Sequence, residues 1–88
     1  MAQIFWTPQA VADLAGVPPA MIDRLLTKVE LLADFPLMGP AMDGPYEGFR
    51  QLLVDRHRVV YQHQGDHVRI AYIRHGARQL RLRVVREK

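Results

Sequence analysis

The sequence predicts an α+β fold in the order β-α-α-β-β-β, with two N-terminal helices packed on a mainly antiparallel sheet. Two patterns carry this. Before residue 36 apolar side chains recur at spacings of three and four, the period of a helix, and after residue 48 three strand-like runs follow one another across short separators. Size agrees: 88 residues make one domain, 1–88, with one small core, because a chain this short hides only about 60–65% of its unfolded surface.

Gln3 to Trp6 is a short apolar and aromatic run, read as the first strand. Thr7-Pro8 ends it and starts a helix, since the threonine hydroxyl can cap free amides and proline fits the first helical position. Ala10, Val11 and Leu14 are expected on one face of this short helix, with Gly16 as its stop. Pro18-Pro19 opens a second helix in which Met21, Ile22, Leu25, Leu26, Val29 and Leu32 recur as an apolar stripe. Phe35-Pro36 is expected to end it, because the residue before a proline is pushed out of the helical region.

Residues 36–48, with three prolines and three glycines, read as a loop whose Met38, Met42 and Tyr46 tuck against the core. The strand runs are Phe49 to Val54, Arg58 to Tyr61 and Val68 to Arg78. Their separators are Asp55 to His57 and Gln64-Gly65-Asp66, the latter a hairpin turn in which Gly65 takes positive φ. Beyond Arg78, Leu80, Leu82 and Val84 alternate with Arg81 and Arg83, a period of two that suggests a further strand or a basic arm.

Charge is unevenly placed. Residues 1–48 hold two cations against six acidic groups, whereas residues 49–88 hold ten cations against three, so the net +3 hides a strongly basic second half. Ten of the twelve cations are arginine, whose planar fork grips phosphate or carboxylate bidentately. Arg50, Arg56, Arg69, Arg74, Arg81 and Arg83 are therefore candidates for holding phosphate, a target or an acidic partner. The same arginines could equally keep a small sheet soluble.

There is no cysteine, which removes disulfides, thiolate nucleophiles and Cys-ligated metals. None of the four histidines lies on an expected helix, so the helical i, i+4 pair of a zinc motif is missing and no metal is expected, and no motif points to a cofactor. The N-terminus lacks the basic and long apolar regions of a secretory signal, and no run reaches a membrane span, so a cytoplasmic protein with no membrane contact is expected.

Taken in order, Trp6-Thr7-Pro8 with Ala10 and Asp13-Leu14, the second helix closing at Pro36 with Gly39 after it, Phe49-Arg50 with Leu52-Leu53-Val54, Arg58-Val59-Val60-Tyr61, and Ile73-Arg74-His75-Gly76-Ala77-Arg78 form a set. In this set the chain resembles the RelE/ParE superfamily of bacterial toxins, the toxic halves of type II toxin-antitoxin modules. The resemblance implies a cationic sheet as the working surface. It also implies an acidic or amphipathic antitoxin that folds on the toxin and silences it, and with it a toxin–antitoxin hetero-oligomer.

The superfamily divides in function. RelE-like members cut messenger RNA on the ribosome, whereas ParE-like members inhibit DNA gyrase. Metal-free RNA cleavage needs a base for the 2′-hydroxyl, cations for the phosphorane and an acid for the leaving oxygen. Arg58 takes the position of the family's strand arginine, and Arg78 and His75 complete the candidate catalytic set, His75 because an imidazole can serve as base or acid near neutral pH. The bland reading of His75 is a strand-end hydrogen-bonding residue. RelE-like nucleases usually place an arginine and then a tyrosine after the His75 position; Gly76 or Ala77 and Leu80 stand there instead. That difference tilts the expectation toward ParE-like, non-nuclease action. The short helical hairpin tilts back toward RelE, so a ribosome-dependent endoribonuclease remains the alternative, and a non-toxic nucleic-acid-binding module a further one.

Overall fold

The computed structural model describes residues 1–76. Arg78, Arg81 and Arg83, with the strand or arm expected after Arg78, lie outside the described residues.

Strand β1 (Gln3–Trp6) leads into helix α1 (Pro8–Ala15), and α2 (Pro19–Glu30) follows; β2 (Arg50–Val54), β3 (His57–Gln64) and β4 (His67–His75) complete the order. The sheet runs β1-β4-β3-β2, parallel between β1 and β4 and antiparallel elsewhere. Helix α1 begins where the sequence predicts. Thr7 Oγ1 accepts from the Ala10 amide at 3.0 Å, a cap worth about 1 kcal/mol, and Pro8 occupies the first turn.

The face that α1 buries differs from the expectation. Ala10 is fully buried and Leu14 half-buried, but Val11 is 54% exposed. At about 100° per residue, an 8-residue helix that points Ala10, Asp13 and Leu14 at β4 must turn Val11 outward. Helix α2 ends earlier than Pro36 predicts: its α-helical hydrogen bonding stops at Glu30, and a 3-10 turn (Leu31–Ala33) tightens the exit. Leu25, Val29 and Leu32 carry the buried part of its stripe.

The core lies between the helices and one face of the sheet, where Leu52, Val54, Val59, Tyr61, Val68, Ile70 and Ile73 meet Ala10, Val17, Leu25 and Val29. Both hairpins have two-residue turns. Asp55 and Gly65 each take φ 57°, the left-handed conformation that such turns require, and His57 belongs to β3 rather than to the turn.

A bulge sets the two faces of β4. The pairing of β3 with β4 shifts between Val60 and Tyr61, leaving Ala71 without a partner. Strict alternation would put Ile70 and Tyr72 on one face; the extra residue instead returns both Ile70 and Ile73 to the core and turns Tyr72 and Arg74 to the other side. The bulge carbonyl of Ala71 accepts from Thr7 Oγ1 at 2.8 Å, and the Ile73 amide donates to Asp13 Oδ2 at 2.9 Å. Residues of the β1–α1 connection and of α1 thus satisfy the edge of β4 beyond the end of β1.

Candidate functional site

The face of the sheet turned away from the helices gathers the candidate site. Arg58 is in register with Leu53 on one side and Arg74 on the other; Val60 is in register with Gln51 and Tyr72. All six therefore share this face. Residues 40–42 run along the outer edge of β2, with Ala41 bridging Arg50. The chain then passes through a 3-10 turn (Gly44–Tyr46) that brings Tyr46 against Tyr72.

Arg58 is only 6% exposed, and its Nε has no hydrogen-bond partner. Among the described residues no carboxylate pairs with it. A buried Nε with no acceptor is costly, and here a second cation stands across from Arg58 in register. The Arg74 guanidinium lies over the Tyr72 ring at 4.4 Å from the centroid, a cation–π contact, and approaches Asp13 Oδ2 at 3.8 Å. Burial first, then the adjoining Tyr46 hydroxyl, pushes Tyr72 above the usual phenol range; Arg74 and Arg58 pull the other way. Tyr72 is accordingly a neutral donor at cellular pH, suited to hydrogen-bond an oxyanion and unsuited to act as a base.

The other sequence-predicted residues are dispersed. Arg69 shares the open face further along β4, donating to Gln62 Oε1 at 3.3 Å. Arg56 is exposed in the β2–β3 turn. Arg50 points into the loop instead, donating to the carbonyl of Gly39 at 2.8 Å. His75 pairs with His57, ring centroids 4.9 Å apart, and by strand alternation both share the helix-side face with Val59 and Ile73. His75 and Arg58 are thus on opposite faces. His57 is 6% exposed with Nδ1 unpartnered, and burial, then His75, holds its pKa below 6.5 against the opposing pull of Asp55.

Tyr46 was not singled out as a site residue by the sequence, because nothing local signals that a Gly-Pro-Tyr turn will fold across a sheet. Asp13 escaped for the same reason: its work at Ile73 is a contact 60 residues away in sequence. No group of three or more potential metal ligands occurs among the described residues, and no helix there is long and apolar enough to cross a membrane.

The sequence profile of the ParE toxin of type II toxin-antitoxin system, parDE, matches residues 4–80. The chain belongs to the ParE toxin family. It is a toxin component of a toxin–antitoxin module. No curated protein sequence matches it. Among solved structures it is similar to the toxin-antitoxin complex RelBE2 from Mycobacterium tuberculosis, with a TM-score of 0.74 and 22% identity over 84% of this chain and 96% of that one. It is similar also to the chromosomal ParDE system from P. aeruginosa, with a TM-score of 0.72 and 19% identity over 86% and 97%. The intact E. coli RelBE complex aligns with a TM-score of 0.74 at 13% identity over 89% and 100%. At these identities the likeness establishes the shared α+β fold of the RelE/ParE superfamily.

Proposed function

We propose that this ParE-family chain is a cytoplasmic growth inhibitor, held silent by a cognate antitoxin, that acts by binding DNA gyrase through its open sheet face rather than by cutting messenger RNA. The observation that carries the reading is the buried Arg58 without a carboxylate, set beside Arg74, Tyr72 and Tyr46. Such a cluster is complementary to an anionic group presented by a partner. Cleavage would also need a base beside Arg58. By register His57, His63 and His75 belong to the helix-side face, and Tyr72 stays protonated.

The nuclease alternative has one point in its favour: the protonated Tyr72, next to two arginines, could donate to a leaving oxygen. Induced expression with parallel readout of message integrity and of the DNA-damage response separates the two. Intact message with a DNA-damage response supports gyrase binding; message cut on ribosomes without that response overturns it.

A further inference from the structure

The rung of the sheet next to Arg58 and Arg74 holds two imidazoles. His57 and His75 are partners across β3 and β4, at the last paired rung of these strands among the described residues. His57 also pairs with Val54 across the two-residue β2–β3 turn, and the rung that flanks such a turn is hydrogen-bonded, so the backbone groups of His57 face β2. On the next rung out, the Gly76 amide donates to the Arg56 carbonyl at 2.7 Å. Opposite His75, therefore, His57 stands in a non-hydrogen-bonded pair, the kind in which the Cα atoms approach to about 4.5 Å and the side chains are closest.

Ring positions decide what this pair can do. The two ring centroids lie 4.9 Å apart. An imidazole nitrogen binds a late transition metal at about 2.0–2.1 Å, which sets the ion about 3.2 Å from the ring centroid. Two such arms with ends 4.9 Å apart meet at about 100°, between the square-planar and tetrahedral angles. Turning the exposed His75 ring about its Cβ–Cγ bond redirects its nitrogens and leaves its centroid nearly in place, so this geometry requires no backbone movement. His57 is 6% exposed and its Nδ1 has no hydrogen-bond partner, whereas buried ring nitrogens ordinarily have one. An ion shared with His75 would answer it.

We propose that His57 and His75 form a two-imidazole site for a divalent ion of the zinc, copper and nickel class, which clips β3 to β4 beside the rung where Arg58 and Arg74 stand opposed. Neutral imidazole suits these ions and not the oxygen-seeking Mg²⁺ and Ca²⁺. Asp55 is engaged by Arg24 at 2.9 Å, so the ion has two protein ligands and takes water in its remaining positions, on the exposed His75 side. The clip has work to do. Like charges directly opposite one another weaken a strand pair, and a bond across the adjoining rung holds β3 and β4 together against the repulsion of the two arginines.

The test follows thermal unfolding of the full chain, without an affinity tag and stripped with EDTA, as Zn²⁺ is added, with Mg²⁺ as the control. Zn²⁺ at about ten times its dissociation constant should raise Tm by about 5–10 °C, and EDTA should reverse the rise; Mg²⁺ should give none. Titration calorimetry should count one ion per chain. His57→Gln and His75→Gln should each abolish the rise, while His67→Gln keeps it. Because His75 is exposed, His75→Gln leaves the fold intact even where His57→Gln does not. A wild-type Tm that Zn²⁺ leaves unchanged, or a rise that survives His75→Gln, overturns the proposal. A rise lost in His67→Gln, or one ion per two chains, overturns it too, since the ion would then sit at the β3–β4 turn or between copies.

Discussion

Replacing Arg58 by methionine should make this protein more stable and less toxic. Arg58 is 6% exposed, its Nε is buried without a partner, and Arg74 faces it in register. An unsatisfied buried polar group costs about 1–3 kcal/mol. Methionine keeps an unbranched apolar stem on the face that Arg58 shares with the fully buried Val60. The substitution should therefore gain roughly 1 kcal/mol or more, and for a domain of this size each kcal/mol raises Tm by about 4–8 °C. Thermal unfolding by circular dichroism reads the first effect and colony growth under induction the second. A Tm that falls by a comparable amount would refute the reasoning, because it would mean the guanidinium is already well satisfied in the folded chain. Retained toxicity would refute its place in the working face.

Three further outcomes follow from the contacts. Asp13→Ala strands the Ile73 amide at the edge of β4 and should destabilise the fold by about 1–3 kcal/mol in urea titration, with Asp13→Asn milder. Gly39→Ala should be severe, because its Cβ would collide with the backbone carbonyl of Gln51; loss of soluble protein or a sharply lower denaturation midpoint checks it. His57 has a folded pKa lowered below 6.5, so the unfolded chain takes up its proton first. Stability from this group is present above pH 6.5 and lost as pH falls from there toward the lowered value, and His57→Gln should flatten that part of the stability–pH curve.

Much of the fold was legible because local chemistry decides it. Thr7-Pro8 specifies a helix start by itself, Gly65 a tight turn, and the Leu25–Val29–Leu32 stripe a buried helix face. The parts that escaped depend on distant partners. Ile70-Ala71-Tyr72-Ile73 reads as unbroken strand, and only pairing with Val60 and Tyr61 reveals the bulge that turns Tyr72 and Arg74 to the open face. Without that bulge, parity gives the wrong neighbours for Arg58. Arg50 looks like another cation of a basic sheet, yet its bond to Gly39 makes it a brace for the loop. His75 follows Arg74 directly in the chain, yet the pleat places it on the other face of the sheet from Arg74 and Arg58. Burial of His57 was equally hidden, since residues 55–57 read as a turn.

By the reading proposed above, the open face inhibits its target by binding. Supercoiling of relaxed plasmid by purified gyrase, with wild-type toxin and with Arg58→Met, tests it most directly. Wild type should inhibit supercoiling and the substitution should abolish that inhibition, while ribosome-bound message stays whole under the same toxin. Unimpaired supercoiling alongside message cut on the ribosome would contradict it.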